Sequence, residues 1–87
     1  MNLDELDRAL EAEGVEYTLT QNERSFEVEF PGRYSFDSIW WLGGIIEKAV
    51  PDSRITGISW GQQRLAFSFE ERRVGGSLGW VGMPEYA

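Results

Sequence analysis

The sequence predicts an α+β domain made of two helix–strand–strand units, αββαββ, with one four-stranded antiparallel sheet and both helices packed on one face. Three observations predict it. Apolar residues alternate with polar ones along residues 19–30 and again along residues 58–69, the period of a half-buried strand. Leu3, Leu6 and Leu10 recur at spacings of three and four, as do Leu42, Ile45 and Ala49, which marks one face of a helix. All of these positions superpose at one offset of 39 residues: Leu19 falls on Ile58, Phe26 on Leu65, Val28 on Phe67 and Phe30 on Phe69.

The first helix is expected over residues 3–13. Asn2 is its expected N-cap, with Glu5 three residues on, and Gly14 supplies the residue after the last turn. Strands follow over residues 15–20 and 25–30, joined by the polar stretch Gln21-Asn22-Glu23-Arg24. Pro31-Gly32 breaks the chain. The second helix is expected over residues 36–49. Ser35 caps it, Asp37 favours its positive end, and Tyr34 is placed to staple onto Ile39. Pro51 stops it. The last strands are expected over residues 54–60 and 64–70 around Gly61-Gln62-Gln63. The domain then covers residues 1–73, with a repeat boundary between residues 32 and 33. Residues 74–87 form a Gly-rich aromatic tail.

Eighty-seven residues leave room for one core. The chain has no cysteine and no histidine, which excludes disulfides, Cys/His zinc sites, thiol nucleophiles and histidine-based triads. The acidic amino terminus has neither the basic nor the apolar region of a signal peptide. The longest apolar run, residues 39–50, falls short of the roughly 20 residues that span a bilayer. A cytoplasmic protein without membrane contact is expected.

Charge separates the two units. Residues 1–30 hold nine acids and two bases, so they carry the whole net charge of −7. All four tryptophans, Trp40, Trp41, Trp60 and Trp80, lie beyond them. With Phe26, Val28 and Phe30 inward, Glu27 and Glu29 point to the outer sheet face, with Glu16 beside them. Asp4, Asp7 and Glu11 lie off the leucine stripe of the first helix. These six carboxylates are the candidate acidic face, suited to a partner with a basic surface. In the second helix, Ile39, Leu42, Ile46 and Ala49 fill the buried stripe and Ile45 widens it. Trp40 and Trp41 then fall at its edge or outside it, where they are candidates for a partner or dimer contact, with Trp80, Met83 and Tyr86 of the tail. Gly43-Gly44 in the helix interior suggests close packing. On the outer face of the last hairpin, Arg64, Ala66 and Ser68 are expected beside Gly57, Ser59 and Ile55, a small and nearly uncharged surface that calls for a cover.

Catalytic patterns are weak. Glu27 and Glu29 stand roughly 6.5–7 Å apart along a strand, inside the range for inverting glycosidases, but every alternating Glu pair does so. The stretch Gly75-Gly76-Ser77-Leu78-Gly79 lacks the Lys-Ser/Thr of a P-loop. The bases are scattered, with only Arg72-Arg73 adjacent, so nucleic acid is not expected as a direct ligand. No cofactor and no metal are expected. These residues point to a small non-enzymatic protein–protein interaction protein. Its sharper form is an inhibitor or decoy whose acidic face occupies the phosphate-binding surface of a nucleic-acid enzyme. In size and acidity the chain resembles phage-encoded inhibitors of the anti-CRISPR and anti-restriction kind, and that resemblance lies in composition alone. The alternative is a structural homodimer, self-paired through Trp40/Trp41 or the bare sheet face, with no external target.

Overall fold

The computed structural model describes residues 2–72, so the expected tail, with Trp80, Met83 and Tyr86, lies outside the described residues. The elements run α1 (Asp4–Glu13), β1 (Thr18–Gln21), β2 (Ser25–Pro31), α2 (Phe36–Ala49), β3 (Ser53–Trp60) and β4 (Arg64–Glu71). This is the expected α+β order, with an antiparallel sheet arranged β1-β2-β4-β3.

Most ends follow from local chemistry. Gly14 closes α1 in the left-handed conformation (φ 74°), which a Cβ would disfavour, and its N–H donates to the Glu11 carbonyl. At the other end the helix begins at Asp4, with Leu3 rather than Asn2 in the cap position. The Asn2 carboxamide still accepts from the Asp4 N–H at 2.8 Å, satisfying one of the free donors of the first turn. Ser35 caps α2 as expected, its hydroxyl accepting from the Ser38 N–H at 3.2 Å. Tyr34 packs edge-on against Phe30 and donates to the Pro31 carbonyl at 3.1 Å, pinning the chain as it enters α2. The Ser53 hydroxyl is buried and satisfied by the Val50 carbonyl at 2.7 Å, which ties the end of α2 to the start of β3.

The first strand is shorter than expected. Pairing begins at Thr18, and Val15 and Tyr17 pack on the core from a segment outside the ladder. Under the 39-residue offset the two hairpins share one register: Thr18↔Glu29 maps onto Gly57↔Ser68, and Gln21↔Phe26 onto Trp60↔Leu65. At the sheet centre β2 and β4 pair so that Phe26 meets Phe69, Val28 meets Phe67 and Phe30 meets Leu65. Phe26 and Phe69 stack at 5.0 Å, and Phe30 meets Phe67 edge-on at 6.0 Å. Leu3, Leu6 and Leu10 of the first unit and Ile39, Leu42 and Ile46 of the second close over these rings in one cluster. Both helices therefore lie on one face of the sheet.

The inner face is not covered evenly. β2 and β4 each bury three large apolar side chains there, whereas the one buried side chain of β3 is Ser53. A β-bulge between Ile55 and Gly57 leaves Thr56 without an opposite residue and shifts the ladder by one. This corrects the expected outward direction of Ile55. The residue pairs with Phe69 and so shares the inner face with Ile58 and Trp60, because paired residues project to the same side.

Candidate functional site

Uneven cover leaves a groove between α2 and β3. Phe36, Trp40, Gly43, Gly44 and Glu47 form its helix wall, and Ile55, Ile58 and Trp60 form its strand wall. Phe67 and Ile39 make its floor, and its volume is about 270 Å³. The helix residues meet there because positions 36, 40, 43, 44 and 47 fall on one face at helical spacing. Phe36 and Trp40 touch edge to face at 6.1 Å across one turn. Gly43 lets the helix settle on the sheet: a Cβ there would stand 3.4 Å from the Phe67 ring. A Cβ at Gly44 would meet nothing, so this glycine simply widens the groove.

The walls are wet and apolar together. Phe36 is 66%, Trp40 69% and Trp60 60% exposed, with Ile55 at 38% and Ile58 at 42%. At about 200 Å² per aromatic side chain, the three rings alone expose on the order of 400 Å². That matches the largest apolar patch of a typical soluble monomer, which is often a functional surface. Glu47 is the one charged side chain lining the groove.

Of the aromatic residues expected at a contact, Trp40 lies in this groove, while Trp41 is exposed at 47% and is not among the groove residues. Sequence reasoning did not select Phe36, Ile55, Ile58 and Trp60 for the site. The signal for Phe36 was available, since it stands one turn before Trp40. Trp60 was hidden because an alternating strand looks fully covered when helix coverage is unknown.

The six candidate carboxylates do not form one face. Asp4, Asp7 and Glu11 are exposed on α1, on the helical side of the sheet, with Glu16 exposed in the segment leading to β1. Glu27 and Glu29 lie on the opposite side, projecting away from the Phe26/Val28/Phe30 core. There Glu29 pairs with Arg64 at 3.2 Å, and Glu70 takes the Arg54 guanidinium at 2.8 Å. On the helical side Arg8 pairs with Glu5, and among the described residues Asp4, Glu11 and Glu13 are exposed acids of α1 without an ion-pair partner. Asp7 accepts from the Tyr17 hydroxyl at 2.7 Å. Partial burial first, then the Asp7 carboxylate, push this phenol up to about 12.

The expected small outer surface of the second hairpin is there, at Gly57, Ser59, Ala66 and Ser68, and Ala66 is buried by its neighbours. A second hollow gathers Arg24, Arg54, Arg72, Glu70 and Glu71 at the sheet end. The Arg54–Glu70 pair and Glu71 leave it close to neutral, which does not make a phosphate cradle. Among the described residues no cluster of Asp, Glu, His or Cys could hold a metal ion, and no helix is long and apolar enough to cross a membrane. No protein-family model, no curated protein and no solved structure matches the chain.

Proposed function

We propose that this is a non-enzymatic protein-binding protein whose principal contact surface is the groove between α2 and β3. One observation carries the reading: five large apolar side chains stand exposed together beside a core that is already complete without them. Full burial of such a side chain contributes about 1.5–3 kcal/mol, of which the exposed part is forgone here, so a domain with no use for the surface gains little from keeping them there. Aromatic rings in a shallow apolar depression are the usual anchors of protein interfaces.

The acids support a finer reading. Exposed, unpaired carboxylates on α1 give this side a negative potential that steers a basic partner and repels phosphates. That is the behaviour of a decoy for a nucleic-acid-binding enzyme. The sheet-side pair Glu27/Glu29 contributes less to it, since Glu29 is already held by Arg64.

The test is retention of a partner from host extract on immobilised protein, at low and high salt, comparing wild type with Trp40→Ser/Trp60→Ser and with Asp4→Lys/Glu11→Lys. The groove variant is expected to lose the partner at any salt. The charge variant is expected to lose it mainly at low salt, where exposed charges act beyond about 10 Å. Identical retention by all three proteins overturns the proposal.

A further inference from the structure

We infer that the occupant of the groove is a second copy of this chain, joined through the free edge of β3 in a twofold, antiparallel β3–β3 pairing. This deepens the proposed function and rests on the groove being a docking surface.

The two edges of the sheet differ. β1 is four residues long and lies in the acidic unit, with Glu16 before it and Glu23 after it. β3 is eight residues long and has no acid; its one charge, Arg54, is held by Glu70. Among the described residues nothing pairs with its outer side. A long, nearly uncharged edge with exposed isoleucines is a template for another strand unless it is protected. The bulge at Thr56 disturbs the edge locally, and Gly57–Trp60 continues regularly beyond it.

Electrostatics permits a like copy at β3 and disfavours one at β1. Residues 1–30 carry the net charge of −7, and β1 lies three strand spacings, about 14 Å, from β3. That exceeds the screening length of about 8–10 Å near physiological salt. Pairing at β3 places the two acidic units at opposite ends of a continuous eight-stranded sheet. Pairing at β1 would set them against each other.

Geometry completes the argument. In a β3–β3 dimer the two β4 strands lie three spacings, about 14 Å, apart. Each α2 packs on the Phe67 of its own β4, so the two α2 helices flank a channel over the paired β3 strands. Phe36, Trp40, Ile55, Ile58 and Trp60 from both copies line that channel and fill it. Complete burial of these rings, the isoleucines and the strand edge gives at most about 600 Å² per copy, which brings the pair just to the lower bound of stable interfaces, about 1,200 Å².

The test is the mass of the full chain in solution, by light scattering and sedimentation over a wide concentration range. Twice the chain mass of 9.9 kDa is expected. Ile58→Lys, on the edge and exposed, is expected to weaken association roughly 100-fold, with unchanged far-ultraviolet circular dichroism. Trp60→Ser is the second variant should that lysine disturb folding. Thr20→Lys, on the β1 edge, is expected to leave the mass unchanged. A monomer at every concentration overturns the inference, whether the groove is then filled by residues 73–87 or by a foreign protein. A dimer indifferent to both β3 variants overturns it as well. A monomer that still loses its partner on Trp40→Ser/Trp60→Ser leaves the docking surface standing and removes only the self-pairing.

Discussion

Replacing Gly44 by alanine tests the position of α2 over the sheet. Gly44 lies inside the helix with a right-handed backbone, and an added Cβ would meet no atom within 4 Å. Glycine costs about 0.8–1.0 kcal/mol relative to alanine in a helix interior, so Gly44→Ala should stabilise by about 1 kcal/mol. An unfolding entropy of about 2.1 cal/mol/K per residue gives about 0.15–0.18 kcal/mol/K for a domain of this size, and therefore a rise in Tm of about 5–7 °C. The neighbouring Gly43→Ala has the same propensity gain, but its Cβ arrives 3.4 Å from the Phe67 Cε1. The ring must yield slightly in a core packed as tightly as a crystal, so the gain should be smaller. Urea unfolding should show the same order, with a midpoint shift of roughly 0.5–1 M for Gly44→Ala. All variants must be compared at one protein concentration, because association with a second copy would itself raise Tm. A Gly44→Ala protein that is no more stable than wild type, or a larger gain at Gly43, would refute the placement of α2 with Gly43 on Phe67 and Gly44 clear of the other side chains of its own copy.

Two further outcomes follow from the same geometry. Phe67 is fully buried where β4, β2 and α2 meet, so Phe67→Ala should destabilise by about 3–5 kcal/mol, most of what a domain this small possesses, and denaturant titration should find much of the protein unfolded in dilute buffer. The Tyr17 phenol is raised from 10.0 to about 12, so the folded state holds its proton more tightly than the unfolded chain. Its stabilising contribution is complete below pH 10 and disappears as pH rises from 10 to about 12. Phenolate absorbance should show one tyrosine titrating late, and Tyr17→Phe should abolish that late phase; an unchanged titration curve would remove the Tyr17–Asp7 bond from the account.

Much of the architecture was legible because it depends on local periods. Alternation at Phe26, Val28 and Phe30 and at Leu65, Phe67 and Phe69 specifies which face of a strand is buried, whatever the neighbours are. Spacings of three and four do the same for the stripes of α1 and α2. Gly14 and Ser35 mark helix ends because left-handed backbone and a free N–H are satisfied within a few residues. The candidate site was only partly legible. Trp40 was visible as an indole outside the apolar stripe, but its companions were not.

By itself, then, the sequence determined the kinds of element, their order, most of their buried faces and the location of the net negative charge in the first thirty residues. Tertiary structure alone decided that β1 and β3 are the edges of the described sheet, that the ladder slips at Thr56, and that no helix among the described residues covers β3. Those outcomes depend on pairing between strands distant in the chain and on where α2 comes to rest. A bulge also adds one residue to a strand without altering its composition, so the turn of Ile55 toward Ile58 and Trp60 leaves no trace in the order of side chains.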